Sequence, residues 1–568
     1  MINLGKYHLI LFGVFMLAIN PAENVIAFDD TSQTRLTRHD FYHLAQGGFG
    51  DSANSYAWSI ASFKGDLYVG VNRHHGASIM GAMEGAINSL DFLPSPSSLF
   101  DGPKSDMLGD IVWAEDLSGA IWRLRGGEWS MVHQANILQG VLPIISNSAT
   151  GPAPTINGYY PESYGYRNMT VYGEHIYALG IGPWSPNMPL ARVIRSATGD
   201  PGSWEDVSGI IATATNPRGL VEYKGKLYIT ASLPGSYLAG SGTGLVYCFD
   251  PSTPGYWKQV SEPGFGSSNN AEIPDLAVFN GFLYASTLNY STGFEVWKTD
   301  GSIQSDGKYI WKNVVKDGFG DTWNQWGMTM QPFGEYLYIG TAVGGMVFKN
   351  NQPVGIRAFD VIRLDSKDHV QLLVGAPIPS DPPAGWPRKR APLSKHSAGF
   401  ANPLNVYAWS MGVYDGWLYL GTFDISSNIF PYLSVFLEEL KSGGHSEVDG
   451  KIPAIDQIQA LLRKRDSTTG NNKILLQMIR TIIGNRALTA ASATVPILSD
   501  TFGGADVWKT KDGIHWVPVT LNGFDNCFNA GVRRLVPVKF NDKDVLTIGT
   551  ANGYTGQPGG GCEILCGK

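Results

Sequence analysis

One short pattern returns seven times along the chain, and it constrains the fold more than anything else in the sequence. It reads aromatic, any, Gly, any, apolar, Tyr, apolar, small. Near-complete copies stand at 63–70 (FKGDLYVG), 172–180 (YGEHIYALG, one residue longer), 223–230 (YKGKLYIT), 279–286 (FNGFLYAS), 333–340 (FGEYLYIG) and 414–421 (YDGWLYLG). A degenerate copy, 540–549 (FNDKDVLTIG), closes the series. A unit this short cannot bury its own apolar face, so the copies must stack on one another.

Each copy is an apolar run, a polar turn and a second apolar run, which is a β-hairpin signature. A third strand follows, clearest at 294–300 (FEVWKTD), 244–250 (GLVYCFD) and 505–510 (ADVWKT). A fourth is marked by Trp and Val around Trp129, Trp204, Trp257, Trp311 and Trp516. Four short strands per unit describe a propeller blade. After Gly549 only 19 residues remain (568 − 549), enough for a third strand at 561–566 and no fourth. A surplus strand, 41–51 (FYHLAQGGFGD), precedes the first hairpin, and its GFGD ending matches 318–321 (GFGD), 264–267 (GFGS) and 523–525 (GFD). The expected fold is therefore all-β: a seven-bladed β-propeller closed by an N-terminal strand in the last blade. The repeat resembles seven-bladed propellers of the kelch and galactose-oxidase central-domain type. That resemblance implies architecture and leaves chemistry open, because such folds host many functions.

The termini and charge add bounds. Lys6 and the apolar run 9–19 (LILFGVFMLAI), followed by Val25-Ile26-Ala27, read as a signal peptide over residues 1–27. The propeller is then expected over 28–568, in a protein exported to the periplasm or outside the cell, without a stable membrane span and as a monomer. A formal net charge of −7 gives nucleic-acid binding no electrostatic support. Of four cysteines, Cys527 and Cys562 are expected near one face, and export makes a disulfide between them reasonable.

Long connections at 73–109, 134–164, 375–404 and 425–501 all fall on the face opposite the tight hairpin turns, which marks that top face as the working one. Within 425–501 the stretches 430–440, 452–464 and 473–483 carry apolar residues at helical spacing, so this insertion in the sixth blade is expected to form a helical cap over the central opening.

Counting back five residues from the aromatic that opens each hairpin gives Trp58, Arg167, Arg218, Pro274, Met328 and Trp409, with Arg533 near the same place in the last blade. These positions should ring the opening. Arginines there suit a carboxylate, sulfate or phosphate, unless each pairs with a neighbouring blade. Residues just past the second strands add Arg73, Trp184, Asn289, Asp424 and Asn552 as ligand-facing candidates. Asp424 is either a general base with a raised pKa beneath the cap, or a turn residue bonded to the backbone of Ser426. No metal site is expected at His74-His75, since adjacent strand residues face opposite ways. No cofactor is expected, with structural calcium at Asp51 and Asp321 the exception. Serine-hydrolase, phosphate-loop, zinc-protease and dinucleotide motifs are absent from the sequence.

Three readings of function stay open. The first is an exported protein binding a small anionic or amphipathic molecule in a capped pocket, with or without catalysis. The second is an enzyme. The strings 54–63 (NSYAWSIASF) and 405–414 (NVYAWSMGVY) are similar to the propeller half of bacterial enzymes that alkylate resorcinol rings. That resemblance implies a rim aspartate as base, matched here by Asp424. The third is a glycan-binding or scaffold propeller using Trp184 and Trp323.

Overall fold

The computed structural model describes residues 35–73, 117–143, 155–182, 191–233, 242–252, 255–343, 346–349, 352–375, 391–402, 404–428, 503–553 and 558–568. The signal segment, His74, His75, Trp184 and the proposed 425–501 cap beyond Asn428 lie outside the described residues.

The first repeat folds as Asn54–Phe63 paired with Asp66–Arg73 around Lys64-Gly65. Both turn residues have positive φ, 52° and 87°. This is the backbone twist that joins two strands without splaying them, and it explains the Gly of the repeat. Ala120–Arg125 and Glu128–Gln134 complete a four-stranded antiparallel sheet. Six further sheets repeat this order. Their innermost strands are Gly165–Tyr172, Leu220–Tyr223, Leu276–Phe279, Trp326–Phe333, Asn405–Tyr414 and Gly531–Phe540. Each innermost strand lies beside the next, and Gly531–Phe540 lies beside Asn54–Phe63. The N-terminal strand Phe41–Ala45 pairs antiparallel with Ile564–Gly567, as the fourth member of the last sheet. The architecture is all-β and propeller-like, with helix confined to short turns among the described residues. Two further hairpins stand apart from these sheets. One pairs Ile137–Pro143 with Thr155–Pro161; the other, unanticipated, pairs Met346–Lys349 with Gln352–Ile356. No helix among the described residues is long and apolar enough to cross a membrane.

Packing accounts for the repeat. Its tyrosines, Tyr68, Tyr177, Tyr228, Tyr284, Tyr338 and Tyr419, are all buried between sheets. Its final small residue is where the next sheet's innermost strand approaches. A Cβ on Gly70 would meet Tyr166, one on Gly340 would meet Ala408, and one on Gly421 would lie 2.3 Å from Val532 Cγ1. Where that residue is Thr230 or Ser286, its hydroxyl donates instead to the neighbouring strand, at Ile273 O (2.8 Å) and Gly327 O (2.6 Å).

The Gly-Phe endings seen in the sequence are built loops. In five of them a Gly-Phe pair sits at positive φ: Phe49, Phe265, Phe319, Phe400 and Phe524 lie between 55° and 63°. An Asn six residues after the Gly donates to that Gly's carbonyl: Asn54, Asn270, Asn324, Asn405 and Asn529, at 2.8–3.2 Å. In the last four, the same amide also donates to a carboxylate ahead of the third strand, Glu295, Asp360, Asp506 or Glu563. Phe49, Phe265 and Phe400 stack on Trp122, Trp297 and Trp508 with ring centroids 4.3–5.1 Å apart.

The expected Cys527–Cys562 disulfide does not form; all four cysteines are free. Asn526 does reach Glu563, so the two segments are neighbours. Successive side chains alternate, however. Glu563 turns to the loop, while Cys562 is buried in the apolar cluster with Ala57, Val71 and Ile564.

Candidate functional site

Five of the innermost strands carry a β-bulge at one level. Ala57 and Ser59 pair with Val71 and Gly70, which leaves Trp58 as the extra residue. The same count leaves Arg167, Met328, Trp409 and Arg533. Bulges re-aim side chains, and these five are among the seven positions the repeat singles out. In the third sheet Arg218 takes the equivalent place, its N–H donating to Thr230 O at 3.2 Å.

The side chains form one aromatic and basic ring. The Arg167 guanidinium lies 4.8 Å from the centre of a Trp58 ring, and that of Arg533 lies 5.1 Å from Trp409. Tyr56 bridges the two tryptophans at 6.3 and 5.8 Å. Tyr407 and Phe423 continue the wall at 5.9 and 4.8 Å from Trp409. Guanidiniums beside aromatic faces are held electrostatically by the ring quadrupole.

The charges are unevenly answered. Arg218 Nε is 2.7 Å from Glu272 Oε2. Arg167 donates to the side-chain oxygen of Asn216, whose amide nitrogen donates to Glu272. Burial raises the Glu272 pKa, and Arg218 and Arg167 act against that. Arg534 is tied to backbone, donating to Trp58 O (2.7 Å) and Arg167 O (2.6 Å). Asp275 is half-buried and accepts from Met330 N and Leu276 N. Desolvation pushes its pKa up to about 6 against the pull of Arg534 and Arg533. Arg533 differs from the others. It is 7% exposed, and it makes neither an ion pair nor a side-chain hydrogen bond among the described residues. Burial first, then Arg534, Arg167 and Arg218, depress its pKa well below the ordinary arginine value. Four guanidiniums thus face two carboxylates, which leaves two positive charges in surplus, and Arg533 carries none of the hydrogen bonds that engage the other three.

Other candidates lie in the loop network. Arg73 Nη1 pairs with Asp51 (2.7 Å) and donates to Asn54 Oδ1. Asn289 joins Asn270 and accepts from Ser291 N and Thr292 N. Asn552 joins Asn529 and the Gly559 carbonyl. Asp424 is fully buried, accepting from Ser426 N and from the Asn402 amide, both at 2.6 Å. Of the two aspartates considered for calcium, Asp51 holds Arg73 and Asp321 holds Arg357. Among the described residues, no group of three or more His, Cys, Asp or Glu converges as a metal site.

The spacing of the repeat points to the ring but not to Glu272, Asn216, Asp275 or Arg534. Glu272 and Asn216 sit in connections whose partners lie on other sheets. The doublet Arg533-Arg534 is the one signal that an added arginine stood there.

No family model and no curated protein matches the chain. Solved structures superpose on part of it. One is a family 43 β-xylosidase/α-arabinofuranosidase from a compost metagenome, 10% identical, covering 59% of this chain and 97% of its own at TM-score 0.28. Another is an α-L-arabinofuranosidase from Clostridium thermocellum, 11% identical, covering 55% and 91% at TM-score 0.26. A third is a Bombyx mori β-fructofuranosidase, 11% identical, covering 58% and 65% at TM-score 0.26. At such scores the superpositions carry no argument about this chain's activity.

Proposed function

We propose that the chain is an exported seven-bladed propeller, closed by its N-terminal strand, that binds a small anionic or amphipathic ligand at the bulge ring. Seven four-stranded sheets and the pairing of Phe41–Ala45 with Ile564–Gly567 support the closure. Lys6 and the apolar run that follows support export. A single observation carries the binding reading: Arg533 is a buried guanidinium that makes no ion pair among the described residues, set among three others beside the Trp409 ring. An unpaired buried charge is costly, and an anion relieves that cost.

The test is thermal unfolding at constant ionic strength, with chloride exchanged for acetate, benzoate, sulfate or phosphate. A bound anion at a hundred times its dissociation constant stabilises by about 2.7 kcal/mol. The expected result is a dose-dependent rise in Tm with at least one anion, abolished in Arg533→Gln and reduced in Arg218→Ala. No rise with any anion, or an equal rise in Arg533→Gln, overturns the proposal.

A further inference from the structure

The Gly-Phe loop of the sixth sheet departs from the other four at one atom. In each loop the clamping Asn donates through its amide, and in four of them its oxygen accepts from a donor in turn. Asn54 Oδ1 accepts from Arg73 at 3.1 Å, Asn270 Oδ1 from the Asn289 amide at 3.1 Å, and Asn529 Oδ1 from the Asn552 amide at 3.2 Å. Asn324 Oδ1 accepts from the Thr341 hydroxyl at 2.8 Å. In the sixth sheet the donor's place is held by Asp424, which pairs in register with Asn405 as Arg73 does with Asn54. An ionised carboxylate accepts and cannot donate. The Asn405 amide nitrogen gives its hydrogens to Gly399 O (3.1 Å) and Asp506 Oδ2 (2.6 Å), which fixes the orientation of the amide. Its oxygen receives no hydrogen bond among the described residues.

Asp506 brings a second carboxylate to the same place. The Asp424 charge helps push its carboxyl's pKa up, as a like charge at short range does, and the Asn402 amide draws both carboxyls down. Asp506 Oδ1 receives no hydrogen bond among the described residues either. In the fifth sheet the equivalent carboxylate, Asp360, has the Arg357 guanidinium 4.0 Å away. No such cation stands beside Asp506 or Asp424 among the described residues. Asn405 and Asp424 are fully buried and Asp506 is 2% exposed, so bulk water does not screen them. Buried oxygens that face one another without a proton donor are costly unless a cation holds them. Two carboxylates carry the charge of a divalent ion. Carboxylate and amide oxygens are hard ligands, and calcium tolerates an irregular shell of them, whereas magnesium demands an octahedron and keeps much of its water.

We propose that the loop of the sixth sheet holds a divalent cation of the calcium class between Asp424, Asp506 and the Asn405 amide oxygen. The ion takes the part that Arg73, Asn289 and Asn552 play in other sheets. It also joins the two ends of the 425–501 insertion, since Asp424 precedes that segment and Asp506 follows it.

Calorimetry and thermal unfolding of the full chain at pH 7.5, after removal of metals with a chelator, test this with calcium, magnesium and sodium chlorides at equal ionic strength. Calcium is expected to bind at one ion per chain with a Kd of about 1 mM or tighter, at least about tenfold tighter than magnesium, and to raise Tm. Asp506→Asn should weaken calcium about tenfold or more. Asp424→Asn puts at this place the amide that Asn289 and Asn552 supply elsewhere, so it should fold, lose the calcium response and melt no lower than the metal-free wild type. Asp51→Asn and Arg533→Gln should keep the full calcium response. No binding of any of the three cations overturns the proposal, and so does calcium binding unchanged in both Asp424→Asn and Asp506→Asn. Tighter binding of magnesium than of calcium overturns the calcium class and leaves a cation site standing. If neither carboxylate variant folds, terbium in place of calcium decides. Trp508 Nε1 lies 3.5 Å from Asp506 Oδ2, so terbium emission excited through tryptophan should fall in Trp508→Phe, and undiminished emission overturns the location.

Discussion

Two buried charged clusters, one acidic and one basic, both cost stability. Asp506 and Asp424 are buried neighbours in the sixth sheet's loop network. Burial, then the Asp424 charge, pushes the Asp506 carboxyl up to about 8, and burial pushes Asp424 up to about 6. Both lie above the unfolded value, so between about pH 4 and pH 8 the folded state holds protons that the unfolded chain has released. Stability attributable to the pair is therefore highest below pH 4 and falls as pH rises through that window. Asp506→Asn keeps an acceptor for the Asn405 amide. It should flatten the pH profile and raise stability at pH 8 by roughly 2–4 kcal/mol, measured by urea unfolding at pH 5 and pH 8. An unchanged slope would show that the pair is not the source. Arg533 makes the second case. Removing a buried charge that lacks an ion pair should stabilise the protein, so Arg533→Gln in anion-poor buffer is expected to raise the unfolding free energy by about 1 kcal/mol or more, read as a higher urea midpoint.

At the scale of the element, the Gly-Phe loops do the joining that a hairpin alone cannot. Phenylalanine at positive φ is strained. It persists here because the Phe ring stacks on a third-strand Trp in three of the loops and an Asn amide clamps the Gly carbonyl in all five. Asn324 is the clearest test. It donates to Gly318 O and Asp360, and accepts from the Thr341 hydroxyl. Asn324→Ala removes three buried hydrogen bonds and should cost about 2–4 kcal/mol in chemical denaturation. A loss under 1 kcal/mol would mean that stacking alone holds these loops.

For the whole molecule, the decisive joint is the last sheet, where residues more than 500 positions apart pair as neighbours. Phe41 packs against Gly567 and lies 5.2 Å from the Phe524 ring, while Lys509 donates to the carbonyls of Arg35 and Leu36. Phe41→Ala is expected to cost about 3–5 kcal/mol. Deleting the chain through Ala45 would leave Ile564–Gly567 as an open strand edge, which promotes edge-to-edge association. Size-exclusion chromatography of that truncation should show aggregates. A monomer with native melting behaviour would show that the joint is dispensable.

The local periodicities were sufficient to place the hairpins, the Gly turns, the four-strand unit, the pairing of the first and last strands, and the level at which Trp58, Arg167, Arg218, Met328, Trp409 and Arg533 stand. All but the terminal pairing follow from side-chain alternation and turn chemistry within about fifty residues, and that pairing follows from counting the strands left over at each end. The bulges, the ion pairs and the thiol environments followed from contacts between sheets, which no local pattern encodes. Glu272 answers Arg218 and, through Asn216, Arg167, yet leaves Arg533 alone. Asp424 bonds Ser426 and Asn402 in the loop network because the strand end turns it there. Cys562 is drawn into an apolar cluster rather than toward Cys527. Which arginine is left without an ion pair or hydrogen bond was decided by the neighbours that tertiary packing brought to each position, since electrostatic partners are chosen in space and not along the chain.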